Sequence, residues 1–294
     1  MTDPGQMQIL KIFRDAQPVP FFKMQGSGND FVLIQNDHLR LEPSSMPFWA
    51  QKICQRALGV GADGLILLQS APREQGIDYR WHFFNSDGSR AEMCGNGSRC
   101  AAWLAYRLGL AGSSHVLGTD AGPVQAKVLP GKNQVQVQLT RPKDLCLRME
   151  LSIPGQGPLQ VHYVDTGVPH AVHFSEDPSQ LDIQELGPAI RYHPRFAPQG
   201  ANVNLVGKTG PNQLYVRTYE RGVEGETLAC GTGAAAAAVI ARELSLCGDQ
   251  SRIITSGQEE LSIFLDQDGV HLQGKAVLVF AGYLDPEAVQ LKTD

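Results

Sequence analysis

The stretch EMCGNGSRCAAWLA, residues 92–105, joins a Cys-Gly-Asn-Gly sequence directly to an apolar, helix-forming segment. A second stretch, LACGTGAAAAAVIA, residues 228–241, has the same order: Cys-Gly-Thr-Gly and then an alanine-rich segment. With six cysteines and 31 glycines among 294 residues, chance explains even one such match poorly. Each stretch predicts a helix that begins directly after a cysteine.

The segments upstream of the two cysteines are also alike, which indicates an internal repeat. Residues 21–36, FFKMQGSGNDFVLIQN, and residues 161–174, VHYVDTGVPHAVHF, each predict a strand, a glycine turn and a strand. Asn29 and Val168 occupy matching places in these turns. The repeat has a period near 136 residues, which is too long for a solenoid and predicts two similar domains with a boundary around residues 130–140.

The composition is that of an ordinary globular protein and argues against several classes of protein. The formal net charge of −5 argues against a surface for nucleic acid or anionic membrane. No apolar run approaches the roughly 20 residues that span a bilayer. The N-terminal residues lack the features of a secretory signal, so residues 1–18 are predicted to be a flexible extension and the protein to be cytoplasmic.

The cysteines do not form a disulfide framework, since such frameworks belong to small secreted domains. Their spacing does not match a zinc site either, so no metal is expected. Cys54 and Cys100 fall on apolar helical stripes and are predicted to be buried. Cys94 and Cys230 differ from these because each precedes a glycine-rich helix start.

A thiol at a helix start has two chemical consequences. The unpaired N–H groups and positive dipole end of the helix lower the pKa of the thiol. The same N–H groups can hold a carboxylate. Two such sites facing one another across a cleft between the domains would give a base and an acid at one α-carbon. The pattern therefore predicts a cofactor-independent epimerase or racemase.

Other signals leave alternatives open. GVGADG, residues 59–64, matches a dinucleotide-binding pattern but follows a helix and precedes a strand, so NAD binding is not expected. His170 is either a structural group or a catalytic one. Glu220 and Arg221 are either a solvated ion pair or substrate contacts.

Five motifs in order resemble the diaminopimelate epimerase family: KMQGSGNDFVLI, GVGADGLILL, FFNSDGSRAEMCGNGSRC, NVNLV and YERGVEGETLACGTGA. The resemblance extends from Lys23 to Ala241. It implies an α/β (α+β) fold of two pseudo-symmetric domains, each a curved, mainly antiparallel sheet around a central helix. The implied domains are residues 19–137 plus 276–294, carrying Cys94, and residues 138–275, carrying Cys230.

The resemblance also implies an activity and its residues. The reaction would interconvert LL- and meso-diaminopimelate in lysine and peptidoglycan precursor synthesis, without a cofactor, in a homodimer. Cys94 and Cys230 would be the acid–base pair, with His170 and Glu220 beside them. The substrate would contact a set of polar and helix-start residues: Asn29, Asn85, Gly95, Asn96, Asn202, Glu220, Arg221, Gly231 and Thr232.

Two positions depart from the family pattern, and two rival functions remain. Val168 stands where many members have Asn, and Gly64 stands where some have Gln. The rivals are a proline racemase-like enzyme, whose first cysteine motif usually has His where Asn96 stands, and a redox-regulated amino-acid-binding protein. Exchange of a substrate α-proton with solvent would exclude the latter.

Overall fold

The structure is a computed structural model that describes residues 18–71, 76–155 and 157–289. The predicted N-terminal extension, apart from residue 18, lies outside the described residues. The strands are β1 (Val19–Gly26), β2 (Asn29–Gln35), β3 (Gly64–Ser70), β4 (Tyr79–Asn85), β5 (Ser114–Thr119), β6 (Gly122–Leu129), β7 (Gln134–Gln138), β8 (Lys143–Ile153), β9 (Gly157–Asp165), β10 (Pro169–Phe174), β11 (Asn202–Gly210), β12 (Gln213–Glu220), β13 (Gly225–Thr227), β14 (Gln250–Thr255), β15 (Glu260–Asp266), β16 (Gly269–Lys275) and β17 (Val277–Leu284). The helices are α1 (Asn36–Leu39), α2 (Met46–Cys54), α3 (Gly95–Arg107), α4 (Ile183–Arg191) and α5 (Gly231–Glu243). None of the helices in the described ranges is long and apolar enough to cross a membrane.

The first compact unit consists of two segments of the chain, one that ends at Asn133 and one that begins at Ala276. Its sheet has the strand order β17-β1-β2-β3-β4-β5-β6, in which only the β2–β3 and β4–β5 pairs are parallel. Helix α3 is the centre of this unit, since its residues from Asn96 to Ala105 are all buried. The apolar run of β3 is explained by burial on both faces, because α3 packs on one face and α2 on the other.

The second unit runs from Gln134 to Lys275. Its sheet has the order β8-β9-β10-β11-β12-β14-β15-β16-β7, and only β10–β11 and β12–β14 are parallel. Helix α5 is its central helix, and α4 packs on the opposite face of the sheet around Ile183 and Ile190. Strand β7 pairs with β16, so residues 134–137, which were predicted to belong to the first domain, lie in the second.

The two units share one series of pairings. In each, a hairpin is followed by a parallel, an antiparallel, a parallel and an antiparallel pair. Strands β1 to β6 therefore correspond to β9 to β12, β14 and β15, and α3 corresponds to α5. The predicted fold class, two pseudo-symmetric α/β domains with mainly antiparallel sheets around a helix, is confirmed. Cys54 and Cys100 are buried, as predicted.

Candidate active site

Cys94 is the residue that caps the N-terminus of α3. Its backbone is extended, with φ −148° and ψ 119°, and the Gly97 N–H donates to its Sγ at 3.4 Å. The thiol is half-buried and lies 3.7 Å from Oδ1 of Asn29, at the start of β2. Gly95 and Asn96 form the first turn of the helix. The structure thus brings four predicted site residues of the first domain together.

Cys230 caps α5 in the same way. Its φ and ψ are −123° and 113°, and the Gly233 N–H lies 3.4 Å from its Sγ. The hydroxyl of Thr232 is 3.3 Å from the sulfur. Gly231 and Thr232 begin the helix, so the predicted helix start after each cysteine is confirmed in both domains.

The Cys230 thiol differs from the sequence-based expectation. Burial, followed by the negative charge of Glu220, raises its pKa to about 12, although the hydrogen bonds from Thr232 and Gly233 act in the opposite direction. The prediction of a lowered pKa is therefore wrong for Cys230. The helix start does favour the thiolate, but loss of hydration in a fully buried site outweighs it.

The polar groups near Cys94 are held by a carboxylate that was not among the predicted site residues. Asp63 accepts hydrogen bonds from the Asn29 side chain at 2.7 Å and from the Asp30 N–H at 3.1 Å. Asn85, at the end of β4, pairs with Gly64, the next residue after Asp63. Its side chain is exposed and donates to Ser89 at 3.0 Å.

In the second domain, the remaining predicted residues lie at the end of β12 and near the starts of β10 and β11. Oδ1 of Asn202, at the start of β11, accepts from the Arg221 N–H at 2.7 Å. Glu220 acts on the Cys230 thiol through its charge, and burial raises the pKa of Glu220 itself. Arg221 likewise adds to the effect of burial in lowering the pKa of His170 to about 3. Glu220 is therefore close to the Cys230 thiol, and Arg221 links Asn202, through its N–H, to His170, through its charge.

Further polar residues of this site were missed. Asn204 bonds to both Thr218 and His170, and Thr166 donates to the Thr232 carbonyl at 3.0 Å. Asn204 lies two residues after Asn202 on a strand and so faces the same side, a signal that NVNLV contained. Within the described residues, no group of three or more His, Cys, Asp or Glu side chains could hold a metal.

Comparison with known proteins decides the family. The model of the family described as diaminopimelate epimerase matches residues 21–144 and 162–279. A diaminopimelate epimerase of Hydrogenobaculum sp. (strain Y04AAS1) is 44% identical over 90% of this chain and 98% of its own length. That of Aquifex aeolicus is 43% identical over 92% and 99%. The chain belongs to the diaminopimelate epimerase family.

Membership of the diaminopimelate epimerase family makes the chain an isomerase. Solved structures from other families share the fold alone. A phenazine biosynthesis protein of the PhzF family from Bacillus anthracis has a TM-score of 0.70 at 14% identity, covering 91% of this chain and 99% of its own. A hydroxyproline epimerase from Agrobacterium vitis has a TM-score of 0.64 at 15% identity, covering 94% and 96%. These likenesses show the fold and no activity, and the family match favours diaminopimelate epimerase over the proline racemase-like alternative.

Gly64, one of the two departures from the family pattern, has a steric cause. A Cβ added there would lie 2.7 Å from Cε2 of Phe83 and 2.8 Å from the Phe84 carbonyl oxygen. This diaminopimelate epimerase family member therefore has no room for a side chain at position 64. Val168, the other departure, is half-buried in the turn before β10, where the structure offers no reason to exclude Asn.

Proposed function

We propose that this protein interconverts LL- and meso-diaminopimelate, with Cys94 and Cys230 as the acid–base pair. One thiolate would remove the α-proton, and the other thiol would return a proton to the opposite face of the same carbon. The observation that carries the proposal is that each thiol caps a glycine-opened helix at the same place in a repeated domain. The N–H groups of those helix starts suit the carboxylate attached to the reacting carbon.

The surrounding polar residues have roles that follow from their chemistry. Asn29, Asn85, Asn96 and Asn202 would contact the polar ends of the substrate, and Arg221 offers a bidentate grip on a carboxylate. Glu220 and His170 would set the state of the thiols. A protonated Cys230 suits the role of proton donor in the first half of a turnover. The activity would serve lysine and peptidoglycan precursor synthesis.

Solvent isotope exchange tests the proposal. Reduced protein incubated with LL-diaminopimelate in D₂O is expected to give the meso isomer with deuterium at one α-carbon, as read by mass spectrometry and NMR. Product without deuterium would overturn the two-base scheme.

Cysteine variants test the assignment of the pair. Cys94→Ala and Cys230→Ala are each expected to lose epimerisation by a factor on the order of 10² or more, because each removes a proton-transfer group. Cys146→Ala, which changes another half-buried thiol, is the control and should retain activity. Full activity in either of the first two variants would remove that cysteine from its role.

A further inference from the structure

Three buried polar side chains form a connected group behind the Cys230 helix start: His170, Asn204 and Thr218. The Asn204 amide nitrogen lies 3.0 Å from Nδ1 of His170 and 3.3 Å from the carbonyl oxygen of Ala171. The Thr218 hydroxyl donates to Asn204 Oδ1 at 2.9 Å. We call these three residues the polar trio.

The contacts of Asn204 fix which end of its amide faces His170. The Ala171 carbonyl can only accept, so the nitrogen of the amide must be on that side. The same nitrogen faces His170 Nδ1, which must then accept and cannot carry a proton. In a neutral imidazole the proton is consequently on Nε2. Burial, with the charge of Arg221, lowers the pKa of this histidine to about 3, which keeps the ring neutral.

The fold does not require polar residues at these positions, as the first domain shows. In the parallel pairs, Phe31 lies opposite Gly64 and His170 lies opposite Asn202. Two residues after Gly64 on β3 is Ile66, which pairs with Phe83. Two residues after Asn202 on β11 is Asn204, which pairs with Thr218, so these two pairs correspond. The polar trio is thus matched in the first domain by Phe31, Ile66 and Phe83, which are buried and apolar, with the two phenyl rings 5.8 Å apart.

The helix starts confirm this correspondence independently. A Cβ added to Gly97 of α3 would meet Ile66 Cδ1 at 3.2 Å, and one added to Gly233 of α5 would meet Asn204 Oδ1 at 2.3 Å. Asn204 therefore lies directly beneath the glycine whose N–H contacts the Cys230 sulfur. His170 Nε2 is buried and, among the described residues, has no hydrogen-bond partner. Burying polar groups where apolar ones suffice costs stability, so a role in the site accounts for the trio better than packing does.

From this geometry we infer that Asn204, seated by Thr218, is a positioning residue that holds His170 as a neutral imidazole with its proton on Nε2. His170 then influences the thiols as a hydrogen-bond donor through Nε2, and not as a proton-accepting base. This role rests on the proposed epimerase function, whereas the protonation pattern of His170 does not.

Nitrogen-15 NMR of the histidine side chains tests the inference directly. In the whole protein labelled at histidine, the His170 signals, identified by their loss in His170→Phe, are expected to show a protonated Nε2 and an unprotonated Nδ1. Asn204→Asp replaces the donor with an acceptor and should move the proton to Nδ1. A wild-type proton on Nδ1, or unchanged signals in Asn204→Asp, would overturn the inference.

Kinetics of the same variants separate positioning from folding. Asn204→Asp is expected to lower kcat for diaminopimelate epimerisation on the order of tenfold or more with little change in KM, because the donor is lost and the binding groups remain. Asn212→Asp, in the β11–β12 turn, is the matched control and should keep both values.

Two further outcomes are informative. If Asn204→Asp does not fold, Thr218→Val, which removes only the hydroxyl that seats the amide, should show partial loss of the Nε2–H form, and a wild-type pattern would count against the inference. If the wild type does not epimerise diaminopimelate, the proposed function fails, and the NMR spectra still decide the state of His170.

Discussion

The Cys230 thiol is protonated at neutral pH in this structure, because burial and then the charge of Glu220 raise its pKa to about 12. A thiol keeps its proton below its pKa, so thiolate chemistry at this position should begin only at alkaline pH. For turnover near neutrality, the reactive thiolate would then have to come from Cys94, or substrate binding would have to lower the pKa of Cys230. At the scale of single residues, Glu220 is the group that can be changed to test this.

Alkylation measures the thiolate of Cys230. In the protein without substrate, the rate of Cys230 modification by iodoacetamide is expected to rise with pH toward a midpoint well above the free-thiol value of about 8.5. Glu220→Gln removes the nearby negative charge and should lower that midpoint, giving faster alkylation at a fixed pH of about 8. Mass spectrometry of the peptide that contains Cys230 gives the rate.

A variant at the other end of the same helix is the control for this experiment. Glu243→Gln changes an exposed carboxylate at the end of α5 and should leave the midpoint unchanged. A wild-type midpoint near 8.5 would contradict the raised pKa, whatever Glu220→Gln does.

At the scale of elements, the two helix starts share the Cys-Gly-Xaa-Gly pattern and differ in what lies beneath them. Gly97 packs over an Ile66 methyl group, whereas Gly233 packs over the oxygen of Asn204. A methyl group can shift by the few tenths of an ångström that a contact of 3.2 Å demands. A fixed amide oxygen 2.3 Å from the new Cβ cannot, because its hydrogen bonds hold it.

Alanine substitution of the two glycines is therefore expected to have unequal effects. Gly233→Ala should lower the free energy of unfolding by about 1–3 kcal/mol through overpacking. Gly97→Ala should cost clearly less, since the intrinsic helix preference for alanine, about 1 kcal/mol, offsets the tighter contact. Urea unfolding of both variants measures the difference. Gly112→Ala is the control, because a Cβ there would make only an ordinary contact of 3.8 Å with the Ser114 carbonyl oxygen. Equal losses for Gly97→Ala and Gly233→Ala would contradict the packing described here.

The helix starts, the repeat and both hairpins were predictable from sequence because each depends on neighbouring residues. Cys-Gly-Xaa-Gly before an apolar run predicts a helix start from local sequence alone, and a glycine between two strand patterns predicts a hairpin in the same way. The polar trio was not predictable in the same way. Its three residues come together only in one register of strands β10, β11 and β12, and sequence periodicity does not determine that register. Helix α4 was missed because Pro188 lies inside it. The pKa of Cys230 was mispredicted because burial is a property of the folded domain.

At the scale of the whole molecule, β17 marks a surface that a second copy could cover. Leu278, Val279 and Phe280 are exposed on this strand, and β1 is its strand partner in the described part of the chain. Apolar side chains on an exposed edge strand are typical of contact surfaces. We propose that this edge forms the homodimer that the family resemblance implies.

Light scattering during size-exclusion chromatography tests the dimer. The wild type should elute at twice the chain mass of 31.9 kDa, and Val279→Lys should shift it toward the monomer, because a buried lysine charge opposes association. Leu58→Lys, which changes an exposed leucine elsewhere, should remain dimeric. A monomeric wild type, or a dimeric Val279→Lys variant, would exclude this edge as the interface.

Because β17 belongs to the first sheet, the two domains can be completed only in a particular order during translation. Residues 134–275 leave the ribosome as one uninterrupted block, so the second domain has every strand it needs before β17 emerges. The first sheet lacks its β17 edge until Val277–Leu284 has left the ribosome. Domains commonly fold in the order in which they are made. Here the domain whose synthesis begins first is completed after the other one, and a product truncated before β17 would carry a finished second domain and an unfinished first one.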